Sequence, residues 1–375
     1  MQSVSGSMSL PLLVQPTVPA HVIRVMIVDD AVVVRGLVSR WVSEEPDLHV
    51  VGTCGNGREA VENLTRLDPE VVILDVEMPV LDGLNALPLL LAKKPNLVVI
   101  MASTVTRRNA EVSLRALSMG AADYVPKPES NREVSTSQNF RRELIDKVRH
   151  LGRRRRLQRV ARGGLADQAR APLKLRPFSK MPPRALFIGS STGGPQALQA
   201  VARGLAPALP HLPVLITQHM PPTFTTILAE HLERETARPA REGVDGEPLT
   251  AGTIYVAPGG HHMRVEQRGS VQVIALDDSP PVHFCRPAVD PLFASAASMF
   301  GAGVLALILT GMGSDGTAGA ATIAQAGGSI IAQDEATSVI WGMPGTAAQA
   351  GLCSAVLPLD EIGPRVVRLV NGERL

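Results

Sequence analysis

The chain has 375 residues, 45% hydrophobic, 3% aromatic and 19% charged, with 37 Lys and Arg against 35 Asp and Glu for a formal net charge of +2. That length exceeds one ordinary core and predicts two or three domains. The net charge argues neither for nor against a nucleic-acid partner, because the basic excess is local to Lys147–Arg162, but such a run reads as solvated linker and the scarce aromatic rings weaken any base-stacking role, so no nucleic-acid partner is expected. The three cysteines, Cys54, Cys285 and Cys353, lack metal-ligand spacing, which predicts reduced thiols in a cytoplasmic protein and no zinc site.

Residues 1–20 are polar and proline-bearing, with no basic region followed by an adequate apolar stretch, so they predict a disordered tail and not a signal peptide. Apolar stretches such as Val304–Thr310 fall far short of the ~20 residues that cross a bilayer, so no membrane insertion is expected.

From Ile23 to Lys127, β-branched runs alternate with helical patterns: Val25–Val28, Val32–Ser43, Val50–Cys54, Glu59–Arg66, Val71–Leu74, Leu84–Leu91, Val98–Ala102, Asn109–Met119 and Asp123–Val125. Strand and helix repeated in this way predict a doubly wound parallel sheet, an α/β domain over residues 21–148. Functional groups should then gather at the carboxyl ends of the strands, near a topological switch point.

Between Arg149 and Pro183 the alternation lapses. Arg153 to Arg156 form a basic run, then come Gly163, Gly164, Pro172, Pro177, Pro182 and Pro183, which predicts a linker over residues 149–182. A second α/β domain, residues 183–375, starts at Leu186. Strands are expected at Val214–Thr217, Thr253–Val256, Val271–Ile274, Val304–Leu309 and Ser329–Ala332, with helices at Gln196–Leu205 and Ala318–Ala326 and a β-hairpin around 253–276.

Carboxylates mark the strand ends of the first domain. Asp29 and Asp30 close the first strand and Asp75 the third, while Ser103 and Lys127 close the fourth and fifth. Three neighbouring carboxylates repel one another and call for a divalent cation, and an all-oxygen donor set suits Mg²⁺. Carboxylates, a lysine and a metal around one aspartate form a clamp for a phosphoryl group, with Asp75 as acceptor. Ile27-Val-Asp-Asp30, Leu74-Asp-Val-Glu-Met-Pro79, Leu81-Asp-Gly83 and Val125-Pro-Lys-Pro128 resemble the receiver domain of bacterial response regulators. The resemblance implies that a histidine kinase is the phosphodonor to Asp75, that Ser103, Tyr124 and Lys127 respond to the phosphoryl group, and that the Glu77 carbonyl completes the metal ligands.

In the second domain, Leu186-Phe-Ile-Gly-Ser-Ser191-Thr-Gly-Gly-Pro195 is an apolar strand running into a glycine-flanked turn and a helix, which lifts the Ser191 hydroxyl out as a nucleophile. A serine needs a base and a group to hold that base. His219 follows the strand Val214–Thr217, with His261 and His262 as rivals; Asp315 follows the strand Val304–Leu309 in a glycine-rich turn whose backbone N–H groups, that of Met312 included, could face an oxyanion.

Gly189 to Gly194, Thr217 to Pro222, Tyr255 to Gly259, Arg286 to Asp290, Leu309 to Gly316 and Gly342 to Pro344 together resemble the chemotaxis protein-glutamate methylesterase (CheB) family, in the order receiver, linker, esterase. The resemblance implies a nucleophile at Ser191, a base at His219 and its partner at Asp315, with Thr192 and Met312 shaping the oxyanion region. It further implies hydrolysis of glutamyl methyl esters, and deamidation of glutamines, on methyl-accepting chemotaxis receptors, with no cofactor for that step and Mg²⁺ needed only for phosphorylation. A monomer is expected.

Overall fold

In a computed structural model, the described residues are 22–128, 134, 137–162 and 173–373, with side chains of 157–162 omitted. The expected tail, residues 1–20, and residues 163–172 of the expected linker lie outside them.

The first domain runs β1 (Ile23–Val28), α1 (Val32–Ser43), β2 (Leu48–Cys54), α2 (Gly57–Leu67), β3 (Val71–Asp75), α3 (Gly83–Lys93), β4 (Val98–Thr104), α4 (Arg107–Ser118) and β5 (Asp123–Lys127). The strands are parallel in the order β2-β1-β3-β4-β5, so the chain reverses direction across the sheet between β1 and β3. Helix starts follow local chemistry. Asn56 accepts a hydrogen bond from the Glu59 N–H and the Glu59 carboxylate reaches back to the Gly55 N–H, while Asp82 and Thr106 cap α3 and α4.

Here the structure corrects the linker reading, because residues 149–162 are helical. They continue α5 (Gln138–Arg162). Arginine is a good helix former, and the run has acidic partners on the first domain: Arg149 pairs with Glu45 and Asp47, Arg153 with Asp47, and Arg156 with Glu70. Residues 173–183 are likewise tied to the second domain, through Arg176 N–H to the Cys353 carbonyl (2.9 Å) and the Ser179 hydroxyl to the Ala302 carbonyl (2.8 Å).

The second domain is built on seven parallel strands in the order β14-β13-β12-β6-β7-β9-β8. They are β6 (Ala185–Ser190), β7 (Val214–Gln218), β8 (Ala240–Glu242), β9 (Ile254–Val256), β12 (Val304–Ile308), β13 (Ser329–Gln333) and β14 (Ala355–Leu357). Around them pack α6 (Gly194–Leu205), α7 (Phe224–Thr236), α8 (Val289–Phe300), α9 (Thr317–Gln325), α10 (Met343–Gln349) and α11 (Leu359–Val370). The expected hairpin is displaced: β9 joins the parallel sheet, and the antiparallel pair is β10 (His262–Arg268) with β11 (Val271–Asp277). Among the described residues no helix is long and apolar enough to cross a membrane.

The two domains share one apolar cluster, in which Leu114, Leu117 and Tyr124 join Leu198, Phe224 and Leu228. Polar contacts frame it: Arg107 pairs with Glu230 at 2.8 Å, and the Gln196 amide faces the Leu117 and Ala121 carbonyls. A second cluster links Ile340, with Met312 and Val339 packed against it, to the first-domain core.

Candidate active site and phosphorylation pocket

Strand order in the second sheet reverses at β6, which lies between β12 and β7. Doubly wound sheets open a crevice at such a point. Ser191 follows β6, His219 follows β7 and Asp315 lies in the loop after β12, so three residues distant in sequence meet at the carboxyl ends of adjacent strands.

Two glycines allow the Ser191 turn. Gly193 has φ +74°, opening α6, and Gly311 passes so close that a Cβ there would lie 2.9 Å from the Ser191 Cβ. Buried side chains then fix the backbone. Gln218 accepts from the Ser190 hydroxyl (2.7 Å) and donates to the Ser191 carbonyl (2.9 Å); the Thr310 hydroxyl donates to the Thr192 carbonyl (2.8 Å). Among the described residues, the buried Thr192 hydroxyl has no hydrogen-bond partner.

His219 and Asp315, 96 residues apart, are joined by a 2.7 Å hydrogen bond from Nε2 to Oδ2. Asp315 is 1% exposed and also accepts the backbone N–H groups of Val289 (2.6 Å), Asp290 (3.0 Å) and Gly316 (2.9 Å), so its carboxylate sits on the N-terminus of α8. Asp290 reciprocates by accepting the Gly319 N–H of α9 at 2.7 Å. Burial raises the pKa of the Asp315 carboxyl, but the His219 bond and the Val289 and Asp290 donors outweigh it and leave the group below its usual value. Burial likewise opposes charge on His219, yet Cys285 and Asp315 push its pKa up to about 10.

The expected serine–imidazole hydrogen bond is not made. His219 Nδ1 lies 3.4 Å from the Cys285 sulfur, and among the described residues the Ser191 hydroxyl forms no hydrogen bond. The two rival histidines stand elsewhere: His261 pairs with Asp278 at 2.6 Å, and buried His262 braces the Pro280 carbonyl and the Ala288 N–H. Sequence reasoning missed Gln218, Cys285 and the role of Asp290. Gln218 and Asp290 lie inside the motifs it singled out, and a polar residue closing an apolar strand such as β7 is the signal by which Gln218 could have been found.

In the first domain, ligand atoms of Asp29, Asp30 and Asp75 lie within 4.8 Å of one another. Lys127 bridges two of them, at 3.0 Å to Asp29 and 2.6 Å to Asp75. Burial chiefly, with Asp29 adding to it against the opposing pull of Lys127, raises the Asp75 pKa to about 6. Three clustered carboxylates, only two of them met by a lysine, offer an all-oxygen donor set that fits a Mg²⁺ ion. The Glu77 side chain is exposed. Ser103 lies on β4 one residue before its end, fully buried, with its hydroxyl toward the Thr104 and Asn109 carbonyls at 3.3 and 3.4 Å. Tyr124 is 3% exposed and faces the second domain.

Comparison with known proteins agrees with this two-part arrangement. Residues 186–366 match the CheB methylesterase family, and residues 25–138 match the response regulator receiver domain. The protein-glutamate methylesterase/protein-glutamine glutaminase of Rhodopseudomonas palustris strain BisB5 is 58% identical over 366 residues, covering 94% of this chain and 95% of that protein. This chain belongs to the CheB methylesterase family. Another member, from the group 2 operon of Bradyrhizobium diazoefficiens, is 58% identical over 377 residues, again covering 94% of this chain and 95% of its own. The solved CheB methylesterase catalytic domain of Thermotoga maritima is 37% identical, covering 51% of this chain and 100% of that one at a TM-score of 0.49. As a CheB family member, the chain couples a receiver to an α/β catalytic domain.

Proposed function

We propose that this chain is a phosphorylation-activated protein-glutamate methylesterase, and also a glutamine deamidase, acting on cytoplasmic chemoreceptor helices in bacterial chemotaxis. The observation that carries this reading is the 2.7 Å His219–Asp315 hydrogen bond beside the Ser191 turn. The activity named for relatives that are 58% identical along nearly the whole chain supports it.

Ser191 attacks the γ-carbonyl of a glutamyl methyl ester. His219 Nε2 is committed to Asp315, so Nδ1 takes the serine proton and Asp315 stabilises the resulting imidazolium. Backbone N–H groups of Thr192 and Met312 hold the oxyanion, and His219 returns its proton to departing methanol. Water activated by the same imidazole then frees the glutamate. A glutamine side chain follows the same route with ammonia leaving, and no cofactor takes part.

Asp75 receives a phosphoryl group from a histidine kinase. Asp29, Asp30, Asp75 and the Glu77 carbonyl would hold Mg²⁺, which supplies charge neutralisation for that transfer. A phosphoryl group brings about −1.5 to −2 charge against Lys127 and reorders the β4–α4 and β5 surface that carries Ser103 and Tyr124. That surface is the one docked on α6 and α7, so phosphorylation loosens the docking and frees the serine cleft. Contacts of this kind within a chain are modest enough to be displaced by a few kcal/mol. The enzyme works in the cytoplasm as a monomer, and Asp75→Asn should keep basal esterase activity and lose stimulation.

The test is methanol release from methylated receptor membranes with and without a small phosphodonor. Release that depends on Ser191 and rises with the phosphodonor is expected; release indifferent to both would overturn the reading.

A further inference from the structure

Cys285 reaches the imidazole from a strained turn. Val282 and Cys285 exchange both backbone hydrogen bonds, at 3.0 and 2.9 Å, so His283 and Phe284 form a two-residue hairpin loop. Both have positive φ, 49° and 64°, a conformation that ordinarily takes Asn-Gly. The loop is clamped on both sides. His283 Nε2 faces Asp290 Oδ2 at 3.3 Å, and the Arg142 guanidinium of α5 lies 3.8 Å from the centroid of the exposed Phe284 ring.

Of the three thiols, Cys54 and Cys353 are buried, and burial is the main cause that raises their pKa values to about 11 and about 12. Cys285 is half-buried. Its sulfur, 3.4 Å from His219 Nδ1, with Nε2 bound to Asp315, completes a Cys–His–Asp chain in which a base faces a thiol and an acid orients the base.

We propose that Cys285 exchanges with low-molecular-weight disulfides, and that the resulting mixed disulfide blocks His219 and shuts the esterase. His219 Nδ1 accepts the thiol proton, the Cys285 sulfur attacks one sulfur of the disulfide, the S–S bond of the reagent breaks, and the departing thiolate takes a proton from the imidazolium or from water. The disulfide is the oxidant, so the step balances. An adduct on Cys285 fills the space before Nδ1, the nitrogen that serine chemistry needs. This second half rests on His219 as the esterase base; the exchange itself does not.

The full-length chain is treated with oxidised glutathione, adducts are mapped by mass spectrometry, and the labelling rate is followed with Ellman's reagent. One adduct at Cys285 is expected, and His219→Gln should label more slowly by about tenfold or more while Cys54 and Cys353 stay unreactive, showing that the variant is folded. Methanol release should fall in step with adduct formation and return with dithiothreitol, and Cys285→Ser should keep its activity through the same treatment. Labelling at Cys54 or Cys353 first, equal rates in wild type and His219→Gln, or full activity at complete modification would each overturn the proposal. If the untreated enzyme releases no methanol, the serine reading fails and the labelling rates alone decide the thiol.

Discussion

Tyr124 at the edge of the receiver sheet stacks on Phe224 at the start of α7, with ring centroids 4.6 Å apart and planes 5° from parallel. Phe224 is five residues after His219, so the aromatic that answers to Asp75 in the proposed switch touches the helix that follows the proposed base. Pairs of this geometry are worth ~0.5–1.5 kcal/mol beyond area burial. Tyr124→Leu, which keeps apolar volume and removes the stack, should therefore raise esterase activity without phosphodonor by a few-fold and reduce the further gain on phosphorylation. Methanol release measured with and without phosphodonor checks it; unchanged basal release would separate this stack from regulation.

Removing Ser191, His219 or Asp315 should cost several orders of magnitude in kcat, and the double variants little more, because such residues act as a unit. Asp315→Asn differs in one respect. Its carboxylate also receives the Val289 and Asp290 N–H groups, so this variant should additionally lose ~1–2 kcal/mol of stability, seen as a lower urea midpoint that Ser191→Ala does not share.

The proposed base should also impose a pH profile. His219 has a pKa raised to about 10 despite its burial, through Cys285 and Asp315, and only neutral imidazole accepts the serine proton. Esterase kcat/KM should climb from neutral pH toward 10. The same group stabilises the fold fully below its unfolded value near 6.5, and this contribution is lost as pH rises through about 10. Cys285→Ala removes one of the two raising groups and should move the kinetic midpoint to lower pH.

Asp75 has the opposite sign. Its folded pKa of about 6 exceeds the usual 3.8, so ionised Asp75 costs stability above about 6, and that cost fades as pH falls from about 6 to about 4. Asp75→Asn should stabilise the protein by ~2–3 kcal/mol at pH 7 and by much less at pH 4, read from urea midpoints. Adding Mg²⁺ should stabilise the wild type more than the variant.

Lys147 is buried, donating to the Tyr124 carbonyl (2.6 Å) and pairing with Asp123 (3.0 Å) and Glu143 (2.9 Å). Lys147→Met leaves the Asp123 carboxylate buried and alone, which should cost ~3–5 kcal/mol in thermal or urea unfolding. Lys147→Met paired with Asp123→Leu should recover much of the loss.

Local pattern carried most of the fold. Alternation of β-branched and helical stretches marked every receiver strand to within two residues, because which way a side chain points depends on its near neighbours in sequence. The alternation even located the charged groups of the pocket, since Asp29 directly follows β1 and Asp75 and Lys127 end β3 and β5. It failed at Arg153 to Arg156, where charge suggested a solvated linker. Only Glu45, Asp47 and Glu70, roughly 85 to 105 residues earlier, show why that run is a helix held against the receiver.

By itself, the sequence determined two parallel sheets, the turn that exposes Ser191, and a histidine and an aspartate at neighbouring strand ends. Tertiary structure added that His219, which the resemblance had already singled out over His261 and His262, bonds Asp315, and it alone decided that the other ring nitrogen faces Cys285 and that Tyr124 lies on Phe224. The division has one cause. Periodicity and turn chemistry are short-range and can be read from a window of residues, whereas the partner of a buried polar group is set by which distant strands the packing makes adjacent.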